Sequence, residues 1–275
     1  MNLDELISKY RDEGYTLMDA RSTVCHDIIL SKISNSNFKQ NITIKGGVVM
    51  HSISKSMRRA TQDLDMDFIK YSLSDESIIQ FINRLNNVND GIKIKINGKI
   101  EELKHQDYSG KRVLIKIFDN YGNVLENKLD LGVHKQFDIK QDEYCFNINF
   151  MSDSVCLLIN SKEQIFTEKL KSLLKLGFRS SRYKDLFDFY YLINETTLDK
   201  NRLLKCFSIL IFDDNTMKEN NISDILNRLK TIFSSMIYKN NLKNPKNNWL
   251  GVEIDTAIDS VLVYIEELSA DKVTI

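Results

Sequence analysis

Three aspartates, Asp63, Asp65 and Asp67, alternate with apolar residues along the short segment 61–69. A period of two predicts a β-strand with one face in a core and the other face acidic. Carboxylates about 6–7 Å apart on such a face repel one another by roughly 2–3 kcal/mol per pair. A bound divalent cation would neutralise that charge. The segment therefore indicates a metal site, and the alternative is a solvated edge strand that carries aspartates for solubility.

A further carboxylate, Asp130, is placed between Leu129 and Leu131 in a segment that otherwise has the pattern of a buried strand. Alternation directs Asp130 to the face opposite its two neighbours. A two-metal site for nucleotidyl transfer needs such a third acid, which helps to position or deprotonate the attacking hydroxyl. The alternative is an aspartate that caps a turn at the end of a strand.

The pair Gly46-Gly47 separates a short apolar strand from a helical pattern. Glycine allows close approach of a ligand to the backbone, and a helix N-terminus offers free N–H groups to phosphate. Lys45 and Arg59 add cations on either side of this helix and are candidates for nucleotide binding. A tight turn with solvated surface charges is the alternative.

Two later helical segments carry charged residues at helical spacing. Lys169 lies in the first, and Arg182, Asp185 and Asp188 lie in the second. Ordinary helical ion pairs would explain this pattern. In the functional interpretation, Lys169 reaches the triphosphate as a point charge, while Arg182 and Asp185 organise the nucleotide cleft.

The elements that must position these residues follow from periodicity. Residues 3–36 are predicted to be helical, and Asp75 is a plausible N-cap of a later helix. The turn Asn120-Tyr121-Gly122-Asn123 should connect two paired strands. The remaining predicted strands are 41–44, 62–69, 92–96, 113–117 and a strand ending at 129–133, and the remaining predicted helices are 48–57, 161–176, 182–194, 198–211, 221–237 and 251–268. We expect an α/β domain over 1–158, including the N-terminal helices, and a helical domain over 159–275.

Composition narrows the class of protein. The chain has 275 residues, and its 38 Lys and Arg balance its 38 Asp and Glu, so only a local basic patch could bind nucleic acid. No apolar run approaches the length of a bilayer span. The four cysteines are scattered without a CxxC pair, which is typical of reduced structural thiols. These features predict a soluble cytoplasmic protein that does not associate with a membrane.

Five motifs, taken in order, make the chain similar to the AbiEii/AbiGii-type nucleotidyltransferases, toxin components of bacterial abortive-infection and toxin–antitoxin systems. The resemblance covers residues 42–193, and the last 80 or so residues add nothing to it. The motifs are Lys45-Gly46-Gly47, Arg59-Ala60-Thr61-Gln62-Asp63-Leu64-Asp65, Leu129-Asp130-Leu131, Glu168-Lys169-Leu170 and Arg182-x-Lys184-Asp185-x-x-Asp188.

This resemblance implies an α/β nucleotidyltransferase fold, in which helices flank a twisted mixed β-sheet and a helical C-terminal domain closes the nucleotide cleft. It implies an NTP substrate and Mg²⁺, or Mn²⁺ in its place. Asp63 and Asp65 match the metal-binding pair, Asp130 the third carboxylate, and Asp67 a less essential acid. The remaining matches are Gly46 and Gly47 for the phosphate turn and Lys169 and Asp185 for the later motifs.

One departure from the family pattern is Val48, which stands where a Thr or Ser hydroxyl is common. Phosphate binding should then depend on backbone N–H groups and on Lys45, Arg59 or Lys169. By the same resemblance, the role is that of a toxin restrained by a cognate antitoxin, with RNA, first of all tRNA, as the acceptor. The alternatives are nucleotidylation of a protein or small molecule, and a catalytically silent scaffold that acts by protein binding.

Overall fold

The computed structural model describes residues 1–103 and 110–270 of the chain. Contacts between Cα atoms divide the chain into two units, Met1–Asn160 and Ser161–Ile275. The predicted domains, an α/β domain over 1–158 and a helical domain over 159–275, stay a prediction, and residues 271–275 of the second lie outside the described residues.

The N-terminal unit contains the strands and four of the α-helices found in the described residues. Its helices are α1 (Leu3–Asp12), α2 (Leu17–Ser34), α3 (Gly46–Ser54) and α4 (Asp75–Leu85), and its strands are β1 (Ile42–Lys45), β2 (Leu64–Phe68), β3 (Lys93–Ile96), β4 (Glu101–Leu103), β5 (Gly110–Phe118), β6 (Val124–Val133), β7 (Asp142–Phe146) and β8 (Val155–Ile159). A 3₁₀ turn, Met57–Arg59, connects α3 to the segment before β2.

These strands form one mixed sheet with the order β3-β5-β6-β2-β1-β8-β7, and β4 pairs with β5. The pairs β2–β6 and β1–β8 are parallel, and the other pairs are antiparallel. Helix α2 packs against β6 and β8, α3 against β1 and β2, and α4 against β3. The predicted mixed sheet flanked by helices, with a helical C-terminal part, is confirmed.

Alternation along β2 gives the sheet its two different faces. Leu64, Met66 and Phe68 are fully buried, while Asp65 on the other face is partly exposed. The parallel register places Leu64 beside Leu129 of β6, so the apolar side chains of the two strands share one face and continue as one core. The core therefore fixes the register that brings the acidic residues together on the opposite face.

Several predicted boundaries differ from the structure. Asp63 precedes β2 rather than lying within it, and Ser74, not Asp75, caps α4 by accepting a hydrogen bond from the Ser77 backbone. Ser is as good an N-cap as Asp, and Asp75 instead places its charge in the first turn of the helix. Strands β4, β7 and β8 were not predicted, because they are short and lack a clear alternation in sequence.

The C-terminal unit is helical. Its elements are α5 (Lys162–Leu176), a 3₁₀ turn (Gly177–Arg179), α6 (Lys184–Asn194), α7 (Lys200–Phe207), a π-helical turn (Ser208–Phe212), α8 (Ile222–Phe233), α9 (Met236–Leu242) and α10 (Ile254–Ala270). The single helix predicted over 221–237 ends at Phe233, and α9 begins after Ser235. Helix α10 packs against α6 and α8, and α5 packs against α6 and α7.

The expectation of four reduced cysteines is wrong for two of them. Cys145 and Cys156 form a disulfide, because the antiparallel register of β7 and β8 places them directly opposite each other, with Cα atoms 3.9 Å apart. Cys25 and Cys206 are free and buried, as expected. Within the described residues, no helix has the length and apolar character needed to cross a membrane.

Candidate active site

Four adjacent strands contribute one residue each to a single transverse row of the sheet. Lys45 of β1 is directly opposite Asp65 of β2, Asp65 opposite Asp130 of β6, and Asp130 opposite Arg112 of β5. Directly opposed residues of neighbouring strands have their side chains on the same face. The row therefore places two carboxylates side by side between two cations, and we call these four residues the charged row.

Arg112 and Asp130 form the best-defined pair of the charged row. Arg112 donates from Nε and Nη2 to the two carboxylate oxygens of Asp130, at 2.7 Å each. This bidentate geometry fixes the orientation of a carboxylate that is almost fully buried. The hydrogen bonds to Asp130, together with the nearby charges of Asp63 and Asp65, raise the pKa of Arg112 above its usual value. Arg112 is therefore close to all three candidate metal ligands.

The other two aspartates of this face also have basic partners. Lys45 Nζ lies 2.7 Å from Oδ1 of Asp67, and both side chains are buried. Lys128 Nζ lies 2.8 Å from Oδ1 of Asp63, which is more exposed. The predicted repulsion between alternating carboxylates is thus offset by cations from β1, β5 and β6. Because the chain supplies these cations itself, β2 does not need a metal ion to offset the repulsion between its carboxylates.

The turn Gly46-Gly47 packs directly against the charged row. Gly46 has φ +69°, and a Cβ atom there would lie 2.5 Å from Oδ2 of Asp65. A Cβ atom on Gly47 would lie 2.7 Å from Oγ1 of Thr61. Both glycines are therefore needed for the N-terminus of α3 to approach the segment that carries Asp63 and Asp65. The close approach places free N–H groups of the helix beside the carboxylates.

The departure at Val48 has a partial compensation. Val48 is buried and offers no hydroxyl. Thr61, however, lies against Gly47 and brings a hydroxyl to the same turn from the segment before β2. Sequence reasoning missed Thr61 because the contact depends on how the chain returns to the turn after α3.

Arg59 lies two residues before Thr61, whose side chain contacts Gly47. Arg59 is buried in the 3₁₀ turn after α3. The pKa of His51 is lowered to about 4, mainly because the imidazole is buried and also because of the positive charge of Arg59. His51 belongs to the C-terminal half of α3. The structure thus places Lys45, Gly46, Asp63, Asp65 and Asp130 in one neighbourhood, and the role of Arg59 in nucleotide binding stays a prediction.

The later motifs meet within the C-terminal unit. Lys169 Nζ of α5 lies 2.5 Å from Oδ1 of Asp185 and 2.9 Å from Oδ2 of Asp188, both on α6. The three side chains are buried, and the indole N–H of Trp249 donates to Oδ1 of Asp188 at 3.0 Å. Lys169 and Asp185, predicted from separate helices, therefore contact each other, and the ammonium of Lys169 pairs with two buried carboxylates.

Arg182 is the exposed member of this group. Its Nε lies 3.6 Å from Oδ2 of Asp185, and its Nη1 donates to Ser172 at 3.3 Å. Phe178 and Arg179, in the 3₁₀ turn after α5, are also exposed, and the guanidinium of Arg179 lies 5.9 Å from the centre of the Phe178 ring. The turn between α5 and α6 thus presents two arginines and one aromatic ring to solvent.

A divalent cation is compatible with the donor set of the N-terminal unit. Asp65 and Asp130 are directly opposed on parallel strands, Asp63 adjoins them, and carboxylate oxygens are the ligands that Mg²⁺ and Mn²⁺ prefer. Across the described part of the chain, no three His, Cys, Asp or Glu side chains are already grouped as a metal site. In this structure Arg112 contacts a carboxylate oxygen of Asp130, and Lys128 contacts one of Asp63.

Comparison with known families assigns the chain to a family. Residues 28–262 match the model of the family described as nucleotidyl transferase AbiEii toxin, type IV TA system. The match covers most of the chain, and the protein therefore belongs to the AbiEii family of nucleotidyltransferases. It is an enzyme of the nucleotidyltransferase class, and its family is that of the toxins of a type IV toxin–antitoxin system.

Two further comparisons add little. No curated protein matches the chain. One similar solved structure is an antigenic nucleotidyltransferase-like protein from Paracoccidioides brasiliensis, with 14% identity and a TM-score of 0.38 over 87% of this chain and 93% of that chain. Similarity at this level carries no weight for function.

Proposed function

We propose that the protein transfers a nucleoside monophosphate from an NTP to an acceptor hydroxyl at the face of the charged row. The observation that carries the proposal is the direct opposition of Asp65 and Asp130 on adjacent parallel strands, beside the Gly46 turn. Nucleotidyl transfer needs carboxylates and a phosphate-binding backbone in one place, because charge develops on both the attacking and the leaving oxygen.

Asp63, Asp65 and Asp130 are the proposed ligands of Mg²⁺, which Mn²⁺ could replace. When bound, such a cation supplies charge stabilisation for the attacking hydroxyl and for departing pyrophosphate. Arg112 and Lys128 balance the negative charge of these carboxylates and keep them oriented towards one another. Asp67 is assigned a supporting role, because its carboxylate is already buried against Lys45.

The triphosphate is proposed to bind at the N-terminus of α3. Backbone N–H groups that follow Gly46 and Gly47, and the partial positive charge of the helix end, suit phosphate oxygens. Lys45 lies at the N-cap position of the helix and brings an ammonium to the same neighbourhood. Roles for Arg59, Lys169, Arg182 and Asp185 in binding the nucleotide stay predictions, and the two ion pairs of Lys169 give it a structural role as well.

An RNA acceptor, with tRNA as the first candidate, is supported by the exposed turn between α5 and α6. Exposed aromatic rings beside arginines stack on unpaired bases and contact phosphates. Phe178, Arg179 and Arg182 provide this combination. Lys171 contributes less, because its ammonium is paired with Asp214 at 2.5 Å. Binding of this kind weakens steeply as salt increases.

The biological role that we propose is that of a cytoplasmic toxin held in check by a cognate antitoxin and released during phage infection. Family membership supports the toxin and the antitoxin, since the family is described as a type IV toxin–antitoxin component. Phage defence and a cytoplasmic location are extensions of that description.

The proposed function is tested by incubating the purified protein with each of the four α-labelled NTPs, Mg²⁺ and a cell extract, and then separating RNA from protein. We expect label from one preferred NTP in a small-RNA fraction that nuclease removes. Label in the protein fraction would replace the RNA acceptor by a protein acceptor. Absence of label with every NTP in both fractions and in small molecules would favour a catalytically silent scaffold.

A further inference from the structure

A polar cavity lies within the N-terminal unit, beside the C-terminal half of α3. Its volume is about 240 Å³, and residues of α1, α2, α3 and β7, with the segments that follow α1 and β7, line it. The cavity shares α3 with the proposed active site, because Val48, His51 and Ser52 line it while Gly46 and Gly47 face the charged row. The family motifs do not include the residues that give this cavity its chemistry.

Two carboxylates define the polarity of the cavity. Asp27 is buried and accepts a short hydrogen bond from the Tyr10 hydroxyl, as well as one from the backbone of Asn149. Glu13 accepts a hydrogen bond from the Asn149 side-chain amide at 2.9 Å. These donors are neutral, so they orient the carboxylates without cancelling their charge, and Asp27, whose pKa is raised by burial to about 7, is ionised above that pH. The lining also contains the exposed ammonium of Lys55, one cation against two carboxylates.

Aromatic rings form much of the remaining wall. Tyr10 and Tyr15 pack edge to face with their centres 5.2 Å apart, and Tyr144 and Phe146 do so at 4.9 Å. Tyr15 also bonds through its hydroxyl to Nε2 of His51 at 2.9 Å. The π-faces of such rings attract cations, most strongly where the site is shielded from water. Aromatic walls with buried carboxylates are therefore suited to a positively charged ligand.

The two histidines that line the cavity do not add positive charge to it. Burial lowers the pKa of His26 to about 4, and burial together with the charge of Arg59 lowers that of His51 to about 4. Both rings are therefore neutral at pH 7 and add no positive charge.

We propose that this cavity is a binding site for a small organic cation, an alkyl ammonium or guanidinium group held by Asp27 and Glu13 and enclosed by the tyrosine rings. A cavity of about 240 Å³ is below the usual range of pockets for drug-sized ligands and suits a group the size of one long side chain. The cation replaces the water that a polar cavity of this size would otherwise hold. Free diamines carry such an ammonium group, and the arginine side chains of a partner protein carry such a guanidinium group.

Calorimetric titration of the full-length protein at pH 8, where Asp27 is ionised, and without nucleotide tests this site. The probes are agmatine for the free-amine source and N-acetyl-arginine amide for the side-chain source, with N-acetyl-citrulline amide as the neutral isostere of arginine. We expect saturable binding of at least one cation at one site, and binding of the citrulline compound about tenfold weaker or absent. Because nucleotide is omitted, the result is independent of the proposed transfer reaction.

Matched variants locate the binding. Asp27→Asn keeps the shape of the side chain and an acceptor for Tyr10, and Glu13→Gln alters an exposed position that the fold tolerates. Each should weaken cation binding by about tenfold. Asp12→Asn, an exposed acid of α1 outside the cavity lining, should leave it unchanged. Failure of both cations to bind at millimolar concentration, equal binding of the citrulline compound, or unchanged binding in Asp27→Asn would reduce the feature to a hydrated cavity.

Discussion

Four aspartates, Asp63, Asp65, Asp67 and Asp130, share one face of the sheet with cations from neighbouring strands. Asp63 pairs with Lys128, Asp67 with Lys45, and Asp130 with Arg112. The alternation of acids in sequence correctly indicated a charged face. It did not indicate the cations, because they come from strands that are distant in sequence. Ion pairs therefore stabilise this face in the unliganded fold, and the same face carries the carboxylates that suit nucleotidyl transfer.

Gly46 provides a test of how closely the turn must approach Asp65. We expect Gly46→Ala to lower the free energy of unfolding by about 1–3 kcal/mol, because φ is positive and the new Cβ would contact the Asp65 carboxylate. Urea unfolding measures the change. Gly98→Ala is the matched control, since Gly98 has φ +90° but nothing within 4 Å of its added Cβ. Equal losses in the two variants would show that the contact with Asp65 contributes nothing.

Asp27 makes a specific contribution to the pH dependence of stability. Burial, the largest cause, raises its pKa from 3.8 to about 7. A raised pKa means that the folded state retains a proton between pH 4 and 7, so this group stabilises the fold at low pH and loses that contribution as pH rises through 7. As pH rises from 4 to 8, the unfolding free energy of Asp27→Asn should therefore increase by on the order of 3–4 kcal/mol relative to that of the wild type.

Urea unfolding of both proteins at several pH values measures this difference. The other charged and titratable groups of the cavity are the same in the two proteins, so their contributions cancel; they are Tyr10, Glu13, Tyr15, His26, His51, Lys55 and Tyr144. A difference in unfolding free energy that does not change with pH would mean that Asp27 titrates in the folded state as it does in the unfolded chain.

At the scale of elements, the β5–β6 hairpin determines the electrostatics of the site. Asp119 accepts hydrogen bonds from the backbones of Tyr121 and Asn123, which fixes the turn predicted from Asn120-Tyr121-Gly122-Asn123. From that turn, the antiparallel register pairs Phe118 with Val124 and then Arg112 with Asp130. Counting back along the hairpin could thus have found Arg112 from the sequence.

The pair between Arg112 and Asp130 should contribute measurably to stability. Arg112→Gln leaves an almost fully buried carboxylate without its bidentate partner, and because Arg112 is itself partly exposed we expect a loss of about 1–3 kcal/mol in unfolding free energy. Lys116→Gln breaks an exposed ion pair with Glu126 on the same hairpin and should cost less than about 1 kcal/mol. Urea unfolding compares them, and equal effects would contradict the structural importance of the Arg112 pair.

The helices α5 and α6 show why motif residues can have two roles. Lys169, Asp185 and Asp188 form one buried ion-pair network. Spacing alone suggested ordinary surface pairs on α6, because sequence periodicity cannot show that a lysine of another helix lies between the two aspartates. A variant of Lys169 would leave two buried carboxylates unbalanced, so its activity is informative only together with its stability.

For the whole molecule, long and strongly periodic segments were predictable and the sheet order was not. The helices of the C-terminal unit other than α9, the acidic strand and the β5–β6 hairpin follow from periodicity and turn residues. Strands β7 and β8 do not, and the disulfide between Cys145 and Cys156 depends on their pairing. The parallel pairing of β2 with β6, which brings Asp65 beside Asp130, likewise joins segments about 60 residues apart and cannot be read from local sequence.

The most direct test of the charged row is the transfer of labelled nucleotide by Asp65→Asn and Asp130→Asn, compared with the wild type and with Glu126→Gln. Glu126 is an exposed acid of the same strand as Asp130 and serves as the matched control. We expect either substitution in the charged row to reduce transfer by about a thousandfold or more while the protein stays folded, and Glu126→Gln to leave it unchanged. Transfer at wild-type rates by folded Asp65→Asn or Asp130→Asn would contradict the assignment of catalysis to the opposed carboxylates.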